Sequence, residues 1–291
     1  MATTAGVPSK EVDWLLQELA GIDPLALRLG LFKAREQIKL RYSLPVLSQL
    51  WQHRLRERCP VQYLAGVAHW RHFSLRVSSA VLIPRPETEC LIDLAIETIR
   101  NIPTPELGPR QWADLGTGSG AIALGLAEAE PSAIIHAVDC SAPALAIAQQ
   151  NAQKLGLAER IKFYQGFWWE PLEHLKGQLN GMVANPPYIP SGLLSQLQPE
   201  VYCHEPHLAL DGGSDGLDCI RELIATSGDY LRPGGVWLIE IMAGQATAVT
   251  ELLQQQGSYC QIQILPDLAG IERFAIAQRA TPKALGKRAQ G

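Results

Sequence analysis

The sequence predicts an α/β protein in which a small helical region precedes an open sheet. From Gln111 onward, short apolar runs typical of buried strands alternate with segments whose apolar residues recur at helical spacing. A glycine-rich turn joins the first of these strands to the first of these helices. Residues 1–58, by contrast, show only helical spacing. These three observations define the fold class before any single residue is considered.

The composition is that of a globular protein. The chain has 291 residues, of which 47% are apolar, enough for one large domain or two ordinary ones. The net charge of −4 disfavours a dedicated nucleic-acid binder. Residues 1–80 carry a net charge of +5 and residues 81–291 a net charge of −9. The basic front part could meet an acidic partner, and solvated helix faces explain it equally well.

The six cysteines are scattered and include no Cys-x-x-Cys pair, which argues against a metal site and against a disulfide framework. Met1 to Lys10 contain no apolar segment of the kind found in secretory signals. No run of about 18 apolar residues could span a membrane. We therefore expect a cytoplasmic protein that binds neither a metal nor a membrane.

Three short helices are predicted at the front of the chain, over residues 9–21, 25–33 and 46–58. Their apolar stripes are expected to pack mainly against one another. The alternating pattern of residues 69–77 then predicts a strand, as one arm of a hairpin. The two prolines of Leu82–Glu89 predict a stiff loop before a helix that ends at Arg100.

After a proline-rich crossing at residues 101–110, strands are predicted over 112–115, 133–138, 161–164, 179–184, 236–241, 259–265 and 273–277. Helices are predicted over 119–130, 142–155, 215–231 and 245–256. Residues 190–213 predict a long polar connection, and 232–235 a turn. The small, polar tail from Thr281 is expected to fray.

The glycine-rich turn Asp114–Gly120 predicts a ligand site. Its glycines allow close approach of the backbone, and the following helix supplies free N–H groups. The spacing is G-x-G-x-G, whereas a dinucleotide-binding turn has G-x-G-x-x-G. Asp114 would repel a pyrophosphate but could take the ammonium of an amino-acid moiety, and Asp139 could accept both hydroxyls of a ribose. Together these features indicate S-adenosylmethionine.

Two adjacent tryptophans, Trp168 and Trp169, follow the third strand. One of them could flank an adenine or line the entrance of the pocket. Two neighbouring aromatic side chains cannot both do so, and core packing is an equal alternative for either.

The stretch Asn185–Tyr188 follows a buried strand, and its two prolines stop strand pairing and stiffen the loop. The carboxyl edge of an open α/β sheet is where ligands bind. The Asn185 side-chain oxygen and the Pro186 carbonyl could accept two N–H bonds, while Tyr188 and Pro187 could hold a planar face. Alone, the stretch favours a strand-terminating turn whose Tyr188 packs on the core. Beside a methyl-donor site, it predicts methylation of an amino or amide nitrogen.

These motifs resemble those of the HemK-like protein-(glutamine N5) methyltransferases, which modify peptide chain release factors. The resemblance spans about residues 60–278 and rests on Gln62–Gly66, Ile83–Glu89, Asp114–Gly120, Asn185–Ile189, Glu205–Pro206, Ala209–Leu210 and Asp215–Leu217. The pairing of Pro-Arg-Pro-Glu-Thr-Glu with Asn-Pro-Pro-Tyr is specific. Asn-Pro-Pro-Tyr alone also occurs in adenine-N6 DNA methyltransferases. Three parts of the chain depart from the family pattern. Phe167 stands where many relatives carry an acid, Glu240–Gln245 replaces a more usual Glu-Ile-Gly, and residues 1–58 have only loose similarity.

The resemblance implies a Rossmann-like class I S-adenosylmethionine-dependent methyltransferase fold, with a seven-stranded sheet whose last strand is antiparallel. It implies a helical substrate-recognition domain over residues 1–68, a β-hairpin linker over 69–84 and a methyltransferase domain over 85–291. The implied substrate is the glutamine of the Gly-Gly-Gln loop of release factors, methylated at its side-chain nitrogen N5. A monomer with no DNA substrate is expected.

The resemblance also implies the roles of individual residues. The donor would be bound by Gly116, Thr117, Gly118, Ser119, Gly120, Asp139, Trp168 and Asn185. The glutamine amide would be bound by Asn185, Pro186, Pro187 and Tyr188, of which Asn185, Pro186 and Tyr188 are the expected catalytic residues. The roles of Arg85 and Glu87 stay open.

Two other functions share part of this pattern. A methyltransferase acting on amino groups of nucleic acids would use the same donor site and the same Asn185–Tyr188 stretch. The net negative charge of residues 81–291 and the lack of a basic stripe with interleaved aromatics argue against it. A catalytically silent binding protein on this scaffold would not need Asn185, Asp139 and the glycine turn together.

Overall fold

The structure is a computed structural model that describes residues 7–8, 10–31, 40–100 and 109–281. The end of the predicted helix 25–33, most of the crossing 101–110 and the tail beyond residue 281 lie outside the described residues.

The front of the chain is helical, with α1 at Lys10–Glu18, α2 at Pro24–Leu29, α3 at Leu44–Glu57 and α4 at Val61–Ala65. The Asp23 side chain accepts a bond from the Ala26 N–H, and Pro24 occupies the first turn of α2, so the local sequence specifies this helix start. The short α4 was not predicted, because five residues carry too little periodicity to detect. The buried side chains of Leu15 and Leu47 lie in the small core shared by these helices.

A tight antiparallel hairpin follows, formed by β1 (Val67–Trp70) and β2 (Phe73–Arg76). The prediction of one strand over residues 69–77 is therefore wrong: the chain reverses at Arg71, which has a φ of 52°. An arginine gives little warning of a left-handed turn, which usually selects glycine or asparagine. The hairpin packs on the sheet domain through the buried Trp70 and Phe73.

Seven of the described strands form one sheet in the order β5-β4-β3-β6-β7-β9-β8. They are β3 at Gln111–Leu115, β4 at Ile134–Asp139, β5 at Ile161–Gln165, β6 at Leu179–Ala184, β7 at Leu231–Glu240, β8 at Tyr259–Pro266 and β9 at Glu272–Arg279. The first five strands of this order, β5, β4, β3, β6 and β7, are parallel to one another. Strand β9 lies between β7 and β8 and is antiparallel to both. The predicted seven-stranded sheet with an antiparallel last strand is confirmed.

Helices cover both faces of the sheet, as burial of strands on two sides requires. They are α5 at Cys90–Arg100, α6 at Ala121–Ala129, α7 at Ala142–Lys154, α9 at Asp218–Tyr230 and α10 at Ala246–Gln256. A short helix, α8 at Pro199–Tyr202, lies in the connection between β6 and α9. One face of the core holds the apolar side of α5 and α6, and the other holds that of α9 and α10. The sheet is thus buried on both faces, and the carboxyl ends of its parallel strands are left open to a ligand.

The predicted turn at residues 232–235 lies inside β7 instead. The pairing of β6 with β7 jumps from Leu179–Leu231 to Gly181–Val236, so the extra residues form an irregularity within the strand. Gly234, with a φ of 80°, takes the left-handed conformation that this irregularity needs. The strand continues beyond these residues, because pairing with β6 resumes at Val236, where pairing with β9 also begins.

The helical region is tied to the long connection between β6 and α9 by buried charges. The Arg54 side chain on α3 is 2% exposed and bonds to Glu11 at 2.6 Å and to Glu200 on α8 at 2.7 Å. The His204 ring nitrogen Nε2 lies 2.6 Å from the Glu57 carbonyl oxygen. The front helices therefore contact a segment that continues directly into the cleft described next.

Candidate active site

A cleft of about 380 Å³ opens at the carboxyl edge of the parallel strands, within the size range of small-molecule sites. It lies where the chain order reverses between β3 and β6, the position at which doubly wound sheets bind ligands. Of the predicted residues, Gly116–Ser119, Asp139, Trp168, Asn185 and Pro187 lie on its wall. Gly120, Pro186 and Tyr188 do not.

The glycine turn after β3 is held in place by backbone bonds to the neighbouring strand β4. The N–H groups of Gly116 and Thr117 both donate to the Val138 carbonyl, each at 2.9 Å. Gly116 and Gly118 have φ values of 77° and 54°, which favour glycine. Gly120 has another function: a Cβ there would stand 3.1 Å from the Ala148 Cβ, so its lack of a side chain lets α6 and α7 approach.

Asp114 lies beneath this turn and not on the wall of the cleft. It is fully buried, and its Oδ2 accepts bonds from the Thr117 hydroxyl at 2.6 Å and the Ala123 N–H at 2.9 Å. Its Oδ1 is also buried and has no partner among the described residues. Burial raises the pKa of Asp114 to about 7, against the two hydrogen bonds. The prediction that Asp114 meets an ammonium group is thus not supported by its position; the carboxyl anchors the turn.

Asp139 ends β4 with its carboxylate on the cleft wall. The Gly118 N–H donates to Oδ2 at 2.8 Å and the Ser141 N–H donates to Oδ1 at 2.9 Å. Burial raises the pKa of this carboxyl, while the two backbone bonds lower it. Each oxygen keeps a further lone pair, so both can still accept a hydroxyl. The geometry suits a vicinal diol such as that of ribose.

The structure separates the two adjacent tryptophans. Trp168 has a φ of 44° and lines the cleft, where its ring faces Gly116. Trp169 is buried on the other side, stacked on Tyr230 at 4.3 Å and donating from Nε1 to the Ser227 hydroxyl at 3.2 Å. Trp168 is therefore the flat surface available to a ligand, and Trp169 is a core residue.

Asn185 and Pro187 project into the cleft from the end of β6, while Pro186 is buried. The Asn185 Nδ2 donates to the Thr88 hydroxyl at 3.3 Å, and its Oδ1 receives no hydrogen bond from the described residues. The Pro186 carbonyl likewise accepts none within that part of the chain. Tyr188 turns away, donating its hydroxyl to Glu240 at 2.9 Å. Within the described residues, the loop therefore has two unbonded acceptors: the Asn185 Oδ1, whose residue lines the cleft, and the carbonyl of the buried Pro186, which is not among the lining residues. Tyr188 supports the loop through its bond to Glu240.

Several residues that sequence reasoning left without a role support the site. Thr88 and Glu240 contact the Asn185–Tyr188 loop, and Gln245 donates to the Tyr188 carbonyl at 3.0 Å. Arg85 bonds to the buried Glu205 at 2.6 Å, so its charge is neutralised on the cleft wall. These residues belong to the motifs Ile83–Glu89 and Glu205–Pro206 and to the segment Glu240–Gln245, which were the available signals.

The residues of the cleft fit S-adenosylmethionine. The glycine turn admits close backbone approach, Asp139 suits the ribose, and Trp168 offers a flat face for a base. Among the described residues that line the wall, Arg85 is the one basic side chain, and its pairing with Glu205 disfavours a phosphate. No group of three or more metal-ligating side chains occurs in the described ranges. Across the same ranges, no helix is both long and apolar enough to cross a membrane.

Comparisons with known proteins agree with this geometry. The methyltransferase small domain family matches residues 96–196. A release factor glutamine methyltransferase from Synechocystis sp. is 54% identical over 96% of this chain and 92% of its own length. One from Thermosynechococcus vestitus is 48% identical over 92% and 90%. The solved catalytic domain of hMettl16 is 16% identical, with a TM-score of 0.58 over 88% of this chain and 91% of that one, and shows the fold alone.

The strand order, the cleft that fits the donor and the Asn185 amide at the end of β6 are together typical of the class I S-adenosylmethionine-dependent methyltransferases. The chain is of this class. At these identities and coverages, the chain belongs to the release factor glutamine methyltransferase family. The family resemblance inferred from the motifs is confirmed.

Proposed function

We propose that the protein transfers the methyl group of S-adenosylmethionine to the side-chain nitrogen N5 of the glutamine in the Gly-Gly-Gln loop of peptide chain release factors. The observation that carries this proposal is the free Oδ1 of Asn185, which shares one cleft wall with Asp139 and the glycine turn. Relatives named release factor glutamine methyltransferase support the choice of substrate.

An amide nitrogen is a poor nucleophile, because its lone pair is delocalised into the carbonyl. The site must therefore hold the NH2 group so that electron density on nitrogen faces the methyl group. S-adenosylmethionine, when bound, supplies an electrophilic methyl group on its sulfonium. Everything else in the reaction depends on how this chain orients the glutamine.

The roles of the residues follow from their positions. Gly116–Ser119, Asp139 and Trp168 hold the donor. The Asn185 Oδ1 and the Pro186 carbonyl accept the two N–H bonds of the glutamine amide, and Pro187 covers its plane. Tyr188 acts indirectly, because its hydroxyl fixes the loop through Glu240.

The reaction needs no strong base before attack. The nitrogen becomes acidic only as its bond to the methyl carbon forms, and it then gives up one of its two protons. Alignment of the amide in a cleft that excludes water supplies most of the rate, a contribution that can reach about 7–11 kcal/mol.

The remaining features of the proposal concern the whole chain. Residues 1–68 form the substrate-recognition domain, 69–84 the hairpin linker and 85–291 the methyltransferase domain, and the protein acts as a cytoplasmic monomer with no DNA substrate. The net charge of −9 over residues 81–291 supports the exclusion of DNA.

Methyl-labelled S-adenosylmethionine tests the proposal. The purified protein is incubated separately with a release factor, with the same factor carrying an alanine in place of the Gly-Gly-Gln glutamine, and with DNA. We expect label in the intact factor only, on that glutamine by mass spectrometry. Label in DNA, or equal label in the alanine variant, would overturn the proposed function.

A further inference from the structure

We propose that Thr88 and Glu240 are positioning residues that fix which end of the Asn185 side-chain amide faces the substrate. This inference rests on the proposed function, because it concerns the acceptor that would hold the glutamine.

The three residues form one hydrogen-bonded series, the amide relay of Asn185, Thr88 and Glu240. The register of β6 and β7 pairs Ala184 with Ile239, which brings the next residues, Asn185 and Glu240, to the same edge of the sheet. Thr88 enters from the turn Glu87–Glu89. Its hydroxyl lies 3.3 Å from the Asn185 Nδ2 and 2.6 Å from the Glu240 Oε2.

The direction of the relay follows from the count of protons. A threonine hydroxyl has one proton to donate, and an ionised carboxylate can only accept. The short bond to Glu240 therefore uses the Thr88 proton, which leaves the Thr88 oxygen as an acceptor toward Asn185. Only the NH2 end of the Asn185 amide can meet an acceptor, so the opposite end, Oδ1, must face away from Thr88.

This orientation matters because the two ends of an asparagine amide are nearly equal in shape and opposite in polarity. Rotation of the Asn185 amide by half a turn would present an NH2 group to the substrate NH2 group. Two donors cannot bond, so the glutamine would lose one of its anchors and the alignment on which transfer depends. The relay disfavours this rotation, because a rotated Asn185 would place its Oδ1 against the Thr88 oxygen, which has no proton left to donate.

Glu240 is well held as the end of the relay. Its side chain is 1% exposed, and its second oxygen accepts the Tyr188 hydroxyl. Burial raises the pKa of Glu240, and the nearby Glu87 raises it further. The bonds from Thr88 and Tyr188 and the nearby Arg273 lower it in part, but the pKa of Glu240 stays above its ordinary value. The relay runs in this direction while the Glu240 carboxyl is ionised and accepts the Thr88 proton. Because both of its oxygens accept a hydroxyl proton, the buried carboxylate fixes the direction in which the Thr88 hydroxyl points.

The relay also explains why the two motifs that carried the family resemblance occur together. Thr88 belongs to the Pro-Arg-Pro-Glu-Thr-Glu loop and Asn185 to Asn-Pro-Pro-Tyr, and the two meet only in the folded protein, 97 positions apart in the chain.

Two substitutions at one position test the relay. Thr88→Val removes the hydroxyl and keeps the shape, whereas Thr88→Ser keeps the hydroxyl. We expect the valine variant to lose about 10- to 100-fold in kcat on the release factor, with the Kd for S-adenosylmethionine near wild type. Its melting temperature should fall by a few degrees, because the buried Glu240 carboxylate loses one donor. The serine variant should stay within about threefold of wild type in kcat. Thr98→Val is the matched control, because the Thr98 hydroxyl on α5 bonds, among the residues that the structure describes, only to the Leu94 carbonyl at 2.8 Å.

A readout that needs no turnover accompanies the kinetics. In protein labelled with 15N-asparagine, the NH2 resonances of Asn185, identified by their loss in Asn185→Gln, should shift in Thr88→Val and stay in place in Thr88→Ser. Equal kcat for the valine and serine variants, or an unshifted amide in the valine variant, would overturn the relay. Failure of wild-type protein to label the release factor would overturn the proposed function instead, and the resonances would still decide the orientation of Asn185.

Discussion

The ring of Trp168 lies over Gly116, so that a Cβ at this glycine would stand 3.5 Å from the ring carbon Cζ3. The glycine turn and the indole thus form two sides of one narrow part of the cleft. Trp168 has a φ of 44°, which is unusual for a residue with a side chain, and this backbone conformation places its ring over Gly116.

Trp168→Ala is expected to weaken binding of S-adenosylmethionine with little loss of stability. The ring is only half-buried without ligand, so its removal costs the fold little, while the donor loses a stacking surface. We expect a loss of about 1–2 kcal/mol in binding, a five- to thirtyfold higher Kd by calorimetry. An unchanged Kd would contradict the assignment of Trp168 to the donor.

Trp169→Ala provides the converse control. This variant loses the stacking on Tyr230, the bond to Ser227 and a buried ring, which together cost about 3–5 kcal/mol of unfolding free energy. Denaturant unfolding should show that loss, and the folded fraction should keep its donor Kd. A weakened donor Kd in the folded fraction would show that the two neighbouring tryptophans are not separated as described.

Gly181→Ala should destabilise the protein strongly, although it only adds a methyl group. Gly181 on β6 lies beside Trp112 on β3, and a Cβ there would stand 2.3 Å from a ring carbon. Trp112 cannot move easily, because it is fully buried and bonds to Glu130 at 2.9 Å. Overpacking of this kind typically costs about 1–3 kcal/mol or more.

Gly192→Ala is the matched control, because nothing lies within 4 Å of its added Cβ and its backbone is not in the left-handed region. Its urea midpoint should equal that of wild type. Equal midpoints for the alanine variants at 181 and 192 would contradict the close packing of β6 on Trp112.

Glu200→Gln is expected to loosen the contact between the front helices and the connection before α9. Glu200 bonds to Arg54 at 2.7 Å and to Arg58 at 2.6 Å, and Arg54 is almost fully buried. Although burial raises the pKa of Glu200, its backbone bond and the two guanidinium groups lower it overall. This stabilisation is present above the ordinary pKa of glutamate and is lost as pH falls through the lowered value.

At neutral pH the substitution should cost up to about 3–5 kcal/mol, because it leaves a buried guanidinium with one carboxylate fewer. Asp93→Asn serves as the control: its pair with Arg71 is exposed on the Asp93 side, and it should cost less than about 1 kcal/mol. Equal losses in chemical unfolding would show that the Glu200 contact is no more than a surface pair.

The sequence predicts the sheet and the motifs that follow its strands well, because both depend on short-range patterns. Alternation of apolar runs specifies β3 to β7, and the turn chemistry of Gly116 and the prolines after Asn185 are local. The strand order brings these pieces to one edge by a general rule of α/β folds. Site residues that follow directly after a strand were therefore within reach of sequence reasoning.

Contacts between residues far apart in the chain could not be predicted from the sequence. Thr88 and Glu240 are separated by 152 positions and Arg85 and Glu205 by 120, and no local pattern marks either pair. The direction of a side chain after a strand was equally hidden: Tyr188 faces Glu240 and not the cleft because of its backbone path. Long-range partners decide such details, and a single sequence does not record them.

Asp114 should make stability depend on pH around neutrality. Burial raises its pKa to about 7 in the folded protein, well above the ordinary 3.8, so the folded state holds a proton that the unfolded state has released. The contribution of this group is therefore fully present below about pH 4, falls by up to about 1.4 kcal/mol per pH unit as pH rises, and is lost above about pH 7.

Asp114→Asn has no proton to lose at this position, while its side-chain oxygen can still accept a hydrogen bond from the Thr117 hydroxyl. Urea unfolding of both proteins between about pH 5.5 and 8 should show wild type losing stability relative to the variant up to about pH 7 and running parallel beyond it. Curves parallel over the whole range would mean that Asp114 is already ionised beneath the glycine turn.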